Sequence, residues 1–181
     1  MRIVPVLLAL AVLGCGDQLT SRSIETPRGT VTYKEQVSSD GFEGTLRAPS
    51  AAEAARLKDG AAKASVFIAK YVPSRQQQGD LLENLDRAFA AWLTSQDSSK
   101  ETAEDVEWVV GAAFGQYCIE RLPVRWAIGT DNKGTEVMIV GDQPRMWSYP
   151  FAAVRYRIED RKTDFIGALY EALANTRNKP G

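Results

Sequence analysis

The sequence contains no histidine and only two cysteines among its 181 residues. The absence of histidine excludes Ser-His-Asp and Cys-His catalysis, and it excludes every metal site that depends on an imidazole ligand. A general base would have to be an Asp, Glu, Lys or Tyr side chain. We therefore expect no metal site and no cofactor, and we favour a function other than catalysis.

The sequence also lacks an excess of charge of either sign. Its 22 Lys and Arg residues nearly balance its 23 Asp and Glu residues, so the formal net charge is −1 at pH 7. Domains that bind nucleic acids usually carry a clear excess of positive charge. We therefore expect no nucleic-acid partner.

An apolar run from Ile3 to Leu13 follows the positive charge of Arg2. The run is shorter than the roughly 20 residues that a transmembrane helix needs. A positive residue followed by a short apolar run is the layout of a secretory signal peptide. The run leads into Val12-Leu13-Gly14-Cys15, and these four residues resemble the lipobox of bacterial lipoproteins.

This resemblance implies that residues 1–14 are a lipoprotein signal peptide and that a dedicated signal peptidase removes them. Cys15 would then carry a thioether-linked diacylglycerol and usually an N-acyl chain, and two or more acyl chains hold a protein stably on a membrane. The alternatives are an ordinary signal peptide, or a cytosolic apolar N-terminus, with a chance cysteine. Cys118 would be left without a partner for an intrachain disulfide.

The residue after Cys15 bears on the destination of the lipoprotein. It is Gly16 and not Asp. By analogy with enteric bacteria, this favours the outer membrane, with the protein in the cell envelope facing the periplasm.

Residues 15–49 are polar and irregular, apart from one short strand expected at Thr30–Tyr33. We interpret this range as the lipidated N-terminus and a flexible tether. A flexible segment of about 30 residues spans roughly 30 Å, which would lift a domain clear of the lipid headgroups. The pattern of residues 50–178 is that of a single α+β domain.

The domain is expected to begin with three helices. Capping patterns at Ser50 and Thr102, and apolar residues at three- and four-residue steps, predict helices that run from 50 to about 72, from 80 to 94 and from 102 to 122. The third is apolar over much of its circumference, which indicates a central position.

A small antiparallel three-stranded meander is expected next, with strands at 124–128, 135–140 and 145–149 separated by turn residues. Residues 150–158 suit either a helix with Pro150 at its first position or a strand, and we favour the helix. A last helix is expected after Thr163 as its cap, so the chain ends with one or two helices.

Residues 106–176 resemble a bacterial family of unknown function, the domain family numbered 3806. The resemblance rests on the segments at 108–115, 124–128, 149–155 and 164–173. It implies one α+β unit and no particular activity.

Several residues could carry a function. The strongest candidate is a basic surface with aromatic side chains that could bind an acidic partner, a carboxylated glycan or lipid headgroups; its residues are Arg145, Trp147, Tyr149, Arg155 and Arg157. The alternative is that these residues are ordinary solvated faces paired with acids.

Three further features are better explained by structure. Gly111 and Gly115 are expected to allow close packing, and Cys118 is expected in the core. The acidic residues around Glu104 and Asp105 would favour a helix N-terminus, although they could also form a catalytic carboxylate pair.

These observations favour a lipid-anchored, non-enzymatic module that binds a protein or another envelope component. The alternatives are a carboxylate-dependent envelope hydrolase and an immunity protein against a periplasmic toxin.

Overall fold

The computed structural model of the protein describes residues 19–26, 29–36, 42–142 and 146–176. Cys15 and Arg145 lie outside the described residues. The helices are α1 (Ala51–Ala62), α2 (Ala64–Tyr71), a short 3₁₀ helix (Ser74–Gln76), α3 (Leu81–Thr94), α4 (Ala103–Arg121), α5 (Pro150–Asp160) and α6 (Ile166–Thr176). The strands are β1 (Leu19–Thr26), β2 (Gly29–Gln36), β3 (Thr45–Arg47), β4 (Val124–Asp131), β5 (Gly134–Gly141) and β6 (Trp147–Ser148).

The α+β class is confirmed, and so are most of the helix starts. Ser50 and Thr102 form capping boxes with Glu53 and Asp105, and Asp80 caps α3. Residues 150–160 form a helix with Pro150 at its first turn, as we favoured. Among the described residues, no helix combines the length and the apolar character that crossing a bilayer requires.

The first expected helix is in fact two helices, α1 and α2, which meet at Lys63. The Lys63 N–H lies 3.2 Å from the carbonyl oxygens of both Asp59 and Gly60, so the last turn of α1 is tightened. The two halves bury side chains in different places. Leu57 of α1 packs with residues of α4 and α5, whereas Phe67 of α2 lies in the main core.

The expected three-stranded meander is a four-stranded antiparallel sheet in the order β3-β4-β5-β6. The added strand, β3, comes from the range 15–49 that we interpreted as a tether, and it pairs with the far end of β4. The last strand ends earlier than expected, because Trp147 and Ser148 form β6 and Tyr149 lies outside it. The carbonyl of Met146 also accepts a hydrogen bond from the N–H of Gly141 in β5. The strand expected at Thr30–Tyr33 lies within β2, which forms a hairpin with β1.

Helix α4 occupies the centre of the fold, as its apolar circumference predicted. Its buried residues come from all sides of the helix, and they are Val106, Val110, Gly111, Ala112, Ala113, Phe114, Gly115, Tyr117 and Cys118. One side faces the other helices and one faces the sheet, so α4 forms the layer between them.

A buried carboxylate on α3 holds the start of α6. Asp86 is only 4% exposed, and it is the one charged side chain classed as buried among the described residues. Its carboxylate accepts hydrogen bonds from the backbone N–H groups of Phe165, Ile166 and Gly167 at 3.2, 3.1 and 3.2 Å. The expectation that Thr163 caps this helix was therefore wrong, because α6 starts three residues later and a side chain from another helix satisfies its first amides.

Burial raises the pKa of the Asp86 carboxyl to about 6, although its hydrogen bonds from Ile166, Gly167 and Phe165 act in the opposite direction. The nearby carboxylate of Asp164 raises this pKa further. Removal from water disfavours the charged form, whereas the amide donors favour it. The pKa of Asp86 is thus the balance of two opposing effects, and burial is the larger.

Below about pH 5, we expect Asp86→Ala to lower the free energy of unfolding by about 3 kcal/mol, because it leaves three amide groups of α6 without an acceptor. Urea unfolding followed by circular dichroism would measure the loss. Asp59→Ala is the matched control, since the exposed pair of Asp59 with Lys63 should contribute less than about 1 kcal/mol. Equal losses in the two variants would contradict the capping role.

The same carboxyl predicts a pH dependence. The folded protein holds the Asp86 proton more tightly than the unfolded chain does, where the pKa is near 3.9. The stability that this adds is fully present below about pH 4 and is lost as the pH rises through about 6. The stability difference between wild type and Asp86→Asn should fall by roughly 3 kcal/mol over that range. A difference that rises instead would mean that the amide donors outweigh burial.

Candidate functional site

The structure brings together only part of the expected basic surface. Trp147 and Tyr149 lie side by side, with ring centroids 5.6 Å apart and the rings at 72°. Arg155 and Arg157 both lie on α5, but their side chains contact different neighbours. The two aromatic residues of the prediction therefore lie together, while Arg155 and Arg157 contact other parts of the fold.

Arg155 lies between two carboxylates. Its Nη2 donates to Glu136 of β5 at 2.8 Å, and its Nε lies 3.6 Å from Glu107 of α4. Burial raises the pKa of Glu107, and the guanidinium of Arg155 opposes that effect. With a carboxylate on each side, Arg155 links α4, α5 and β5 and has little net charge to offer a ligand.

Arg157 lies over the Phe165 ring, 5.6 Å from its centroid. Burial lowers the pKa of its guanidinium, with Asp160 opposing the effect. Arg161, one helical turn after Arg157, adopts a left-handed backbone conformation at the end of α5. Its guanidinium donates a hydrogen bond to the Leu93 carbonyl. These arginines therefore support the contact of α5 with α3 and the start of α6.

Trp147 and Tyr149 belong to a small apolar cluster on the side of the sheet that faces away from α4. In an antiparallel pair, residues directly opposite each other project to the same side. Ala127 pairs with Met138, and Val140 pairs with Trp147, so all four share this side. We call the full set the outer cluster; its residues are Phe42, Ala127, Met138, Val140, Trp147 and Tyr149.

Phe42 packs on the outer cluster because β4 carries a glycine beneath it. A Cβ at Gly129 would lie 3.0 Å from the Phe42 ring and would overlap the Met138 sulfur. Phe42 also meets Trp147 edge to face, at 6.4 Å between centroids. Leu46 projects from β3 on the same side, opposite Gly129, and is 45% exposed.

Sequence reasoning missed Phe42 and Leu46. Both lie in a polar segment, where two isolated apolar residues give no helical or strand periodicity. Their place on the sheet depends on the pairing of β3 with β4, which is a long-range contact. The only local signal was that they are large apolar residues in an otherwise polar range.

Tyr149 supplies a polar group at the edge of the outer cluster. Burial raises the pKa of its hydroxyl to about 12, and the carboxylates of Asp131 and Glu136 add to the effect. The hydroxyl is therefore protonated at neutral pH and able to donate a hydrogen bond. Together with the Trp147 ring, it gives this face an apolar body with polar edges.

The glycines of α4 allow aromatic rings to pack against its backbone, as expected. A Cβ at Gly111 would lie 2.7 Å from the Phe151 ring, and one at Gly115 would overlap the Trp126 ring. Phe151 stacks on Trp108 at 4.7 Å and on Trp126 at 6.2 Å between centroids. This row of three rings joins α4 to α5 and β4.

Two of the acidic residues near the start of α4, Glu101 and Asp105, have structural partners, and Glu104 is exposed in the first turn. Glu101 binds Lys70 at 2.9 Å and accepts a hydrogen bond from the Tyr71 hydroxyl. Asp105 forms the capping box with Thr102. Among the described residues, no group of three or more acidic or cysteine side chains is arranged to hold a metal ion.

Cys118 is fully buried on α4. Burial raises the pKa of its thiol to about 12, and the positive charge of Arg121 opposes this effect. The thiolate that would act as a nucleophile is therefore scarce at neutral pH. This supports the expectation that Cys118 is a core residue.

We expect Gly115→Ala to destabilise the fold by about 1 to 3 kcal/mol, because the added methyl group overlaps the Trp126 ring. This cost exceeds the gain of up to about 1 kcal/mol in helix propensity. Gly167→Ala is the matched control, since a Cβ there would have its nearest neighbour at 4.0 Å. Chemical unfolding would measure both variants, and a neutral Gly115→Ala would contradict the packing role.

Comparisons of the chain with protein-family models, with curated proteins and with solved structures found no match.

Proposed function

We propose that this protein is a cell-envelope lipoprotein anchored through Cys15, and that its α+β domain is a non-enzymatic interaction module. The observation that carries the second part is the outer cluster with Leu46. Here Trp147, Tyr149 and Leu46 form a partly exposed apolar face on the four-stranded sheet. Aromatic side chains on a rigid element are typical of interaction surfaces.

Several charged side chains that could have served catalysis form hydrogen bonds or ion pairs within the fold, which favours an interaction module over an enzyme. The carboxylate of Asp86 caps α6, that of Glu101 joins α2 to the following loop, and Arg155 bridges Glu107 and Glu136. Each group is thus part of the structure of the fold, and changing its charge would disturb a packing contact.

The anchor is supported by the sequence alone. The apolar run up to Leu13, and the lipobox-like residues that end in Cys15, imply lipidation. The proposed location is the outer membrane, facing the periplasm, because Gly16 follows the cysteine. The resemblance of residues 106–176 to domain family 3806 stays a prediction, and it adds no activity to this proposal.

Fatty-acid labelling in the native host, with membrane fractionation, tests the anchor. We expect wild type to be labelled and to sediment with membranes, and Cys15→Ser to lose both the label and the membrane association. Cys118→Ala is the matched control, since it removes the other cysteine of the chain and should keep the label. An unlabelled, soluble wild type would overturn the proposal.

A further inference from the structure

We propose that the outer face of the four-stranded sheet rests on the phospholipid surface to which Cys15 is anchored. We define this outer face by its exposed and partly exposed residues, Phe42, Leu46, Trp147 and Tyr149. The inference depends on the proposed lipidation, and it names the partner of the proposed interaction module.

The first argument is the length of chain between the anchor and this face. Strands β1 and β2 form an antiparallel hairpin that pairs Leu19 directly with Gln36. The hairpin therefore returns the chain to its starting point, and residues 20–35 add almost nothing to its reach. The effective connection consists of the four steps from Cys15 to Leu19, the cross-strand pair and the six steps from Gln36 to Phe42.

At about 3.5 Å per residue and about 5 Å across the strand pair, this connection reaches at most about 40 Å. A freely extended chain from Cys15 to Phe42 would reach roughly 90 Å. The hairpin thus shortens the longest possible connection between Cys15 and Phe42 by more than half. If Cys15 is lipidated, this connection keeps Phe42 within about 40 Å of the bilayer.

The second argument is where the connection ends. Phe42 is itself part of the outer cluster, where it packs against Trp147. The connection from the hairpin therefore enters the four-stranded sheet at the outer face, whereas β1, which lies nearer to Cys15 along the chain, contacts α6. A short tether gives the face a high effective concentration of lipid, so even weak affinity suffices.

The third argument is the chemistry of the face. Trp and Tyr are enriched at membrane–water interfaces, because their rings are apolar and their N–H and O–H groups remain hydrated. Trp147 and Tyr149 are both partly exposed, and Leu46 adds an aliphatic side chain at 45% exposure. Arg125, on the same side of the sheet, is exposed at the rim beside Asp142.

The experiment uses the full lipidated chain, purified and reconstituted in vesicles of phosphatidylethanolamine and phosphatidylglycerol. An environment-sensitive NBD fluorophore is attached at Leu46→Cys, and in a separate variant at Val66→Cys. Val66 is the matched control, because it is an apolar residue on α2 that is 70% exposed. Cys118 is buried, and acylated Cys15 has no free thiol, so the introduced cysteine takes the label.

We expect the fluorophore at position 46 to emit at shorter wavelength in vesicles than in detergent-free buffer, and to be quenched at least about threefold more than that at position 66 by nitroxide-labelled lipids. Equal and weak quenching at both positions would overturn the inference and leave the anchor intact. A wavelength shift at position 46 that depends on protein density, without lipid quenching, would mean that a second copy covers the face, and would also overturn it.

Fatty-acid labelling of the same preparations separates this inference from the proposal on which it rests. A labelled chain with no quenching at position 46 contradicts the membrane contact alone. An unlabelled chain contradicts the anchor, and the membrane contact falls with it.

Discussion

Three backbone N–H groups at the start of α6 depend on a single buried carboxylate, that of Asp86 on α3. A helix leaves its first amide groups without partners inside the helix, and in a buried position they need an acceptor from elsewhere. Asp86 supplies it from a residue that is 79 positions away from Phe165 in the sequence. The same contact brings Phe165 onto Phe89, with ring centroids 5.3 Å apart. The end of the chain is thus joined to the helical core by one polar contact and the apolar packing around it.

A second constraint is the pair of glycines on one side of α4. Gly111 and Gly115 leave space in which Phe151 and Trp126 lie directly against the helix backbone. Gly60 on α1 does the same for Trp108. Three aromatic rings can therefore stack between the helices and the sheet, and they fix how these layers meet. Trp126 fits because Gly115 has no side chain, and Trp108 fits because Gly60 has none.

The sheet has two different sides, and this difference links the fold to the proposed function. The side toward α4 is covered by the helix, with Trp126 packed on its glycine face. The other side carries the outer cluster, which is built from the strands and from Phe42 at the entry of the tether. A short connection to a lipidated cysteine would keep that side near a bilayer.

The sequence by itself determined the features that depend on neighbouring residues. The caps at Ser50 and Thr102 follow from hydrogen bonds over three residues, and Pro150 suits the first turn of a helix because its φ is fixed and it has no N–H. Lipobox-like residues at Cys15 are equally local, and lipidation there remains a prediction from sequence.

Only the tertiary structure decided what depends on residues that are far apart in the chain. It paired β3 with β4 and gave α6 its cap from Asp86 rather than Thr163. It also separated Arg155 from Arg157 and placed Phe42 beside Trp147. Each of these outcomes needs a partner from another element, and no periodicity within a single segment encodes the identity of that partner.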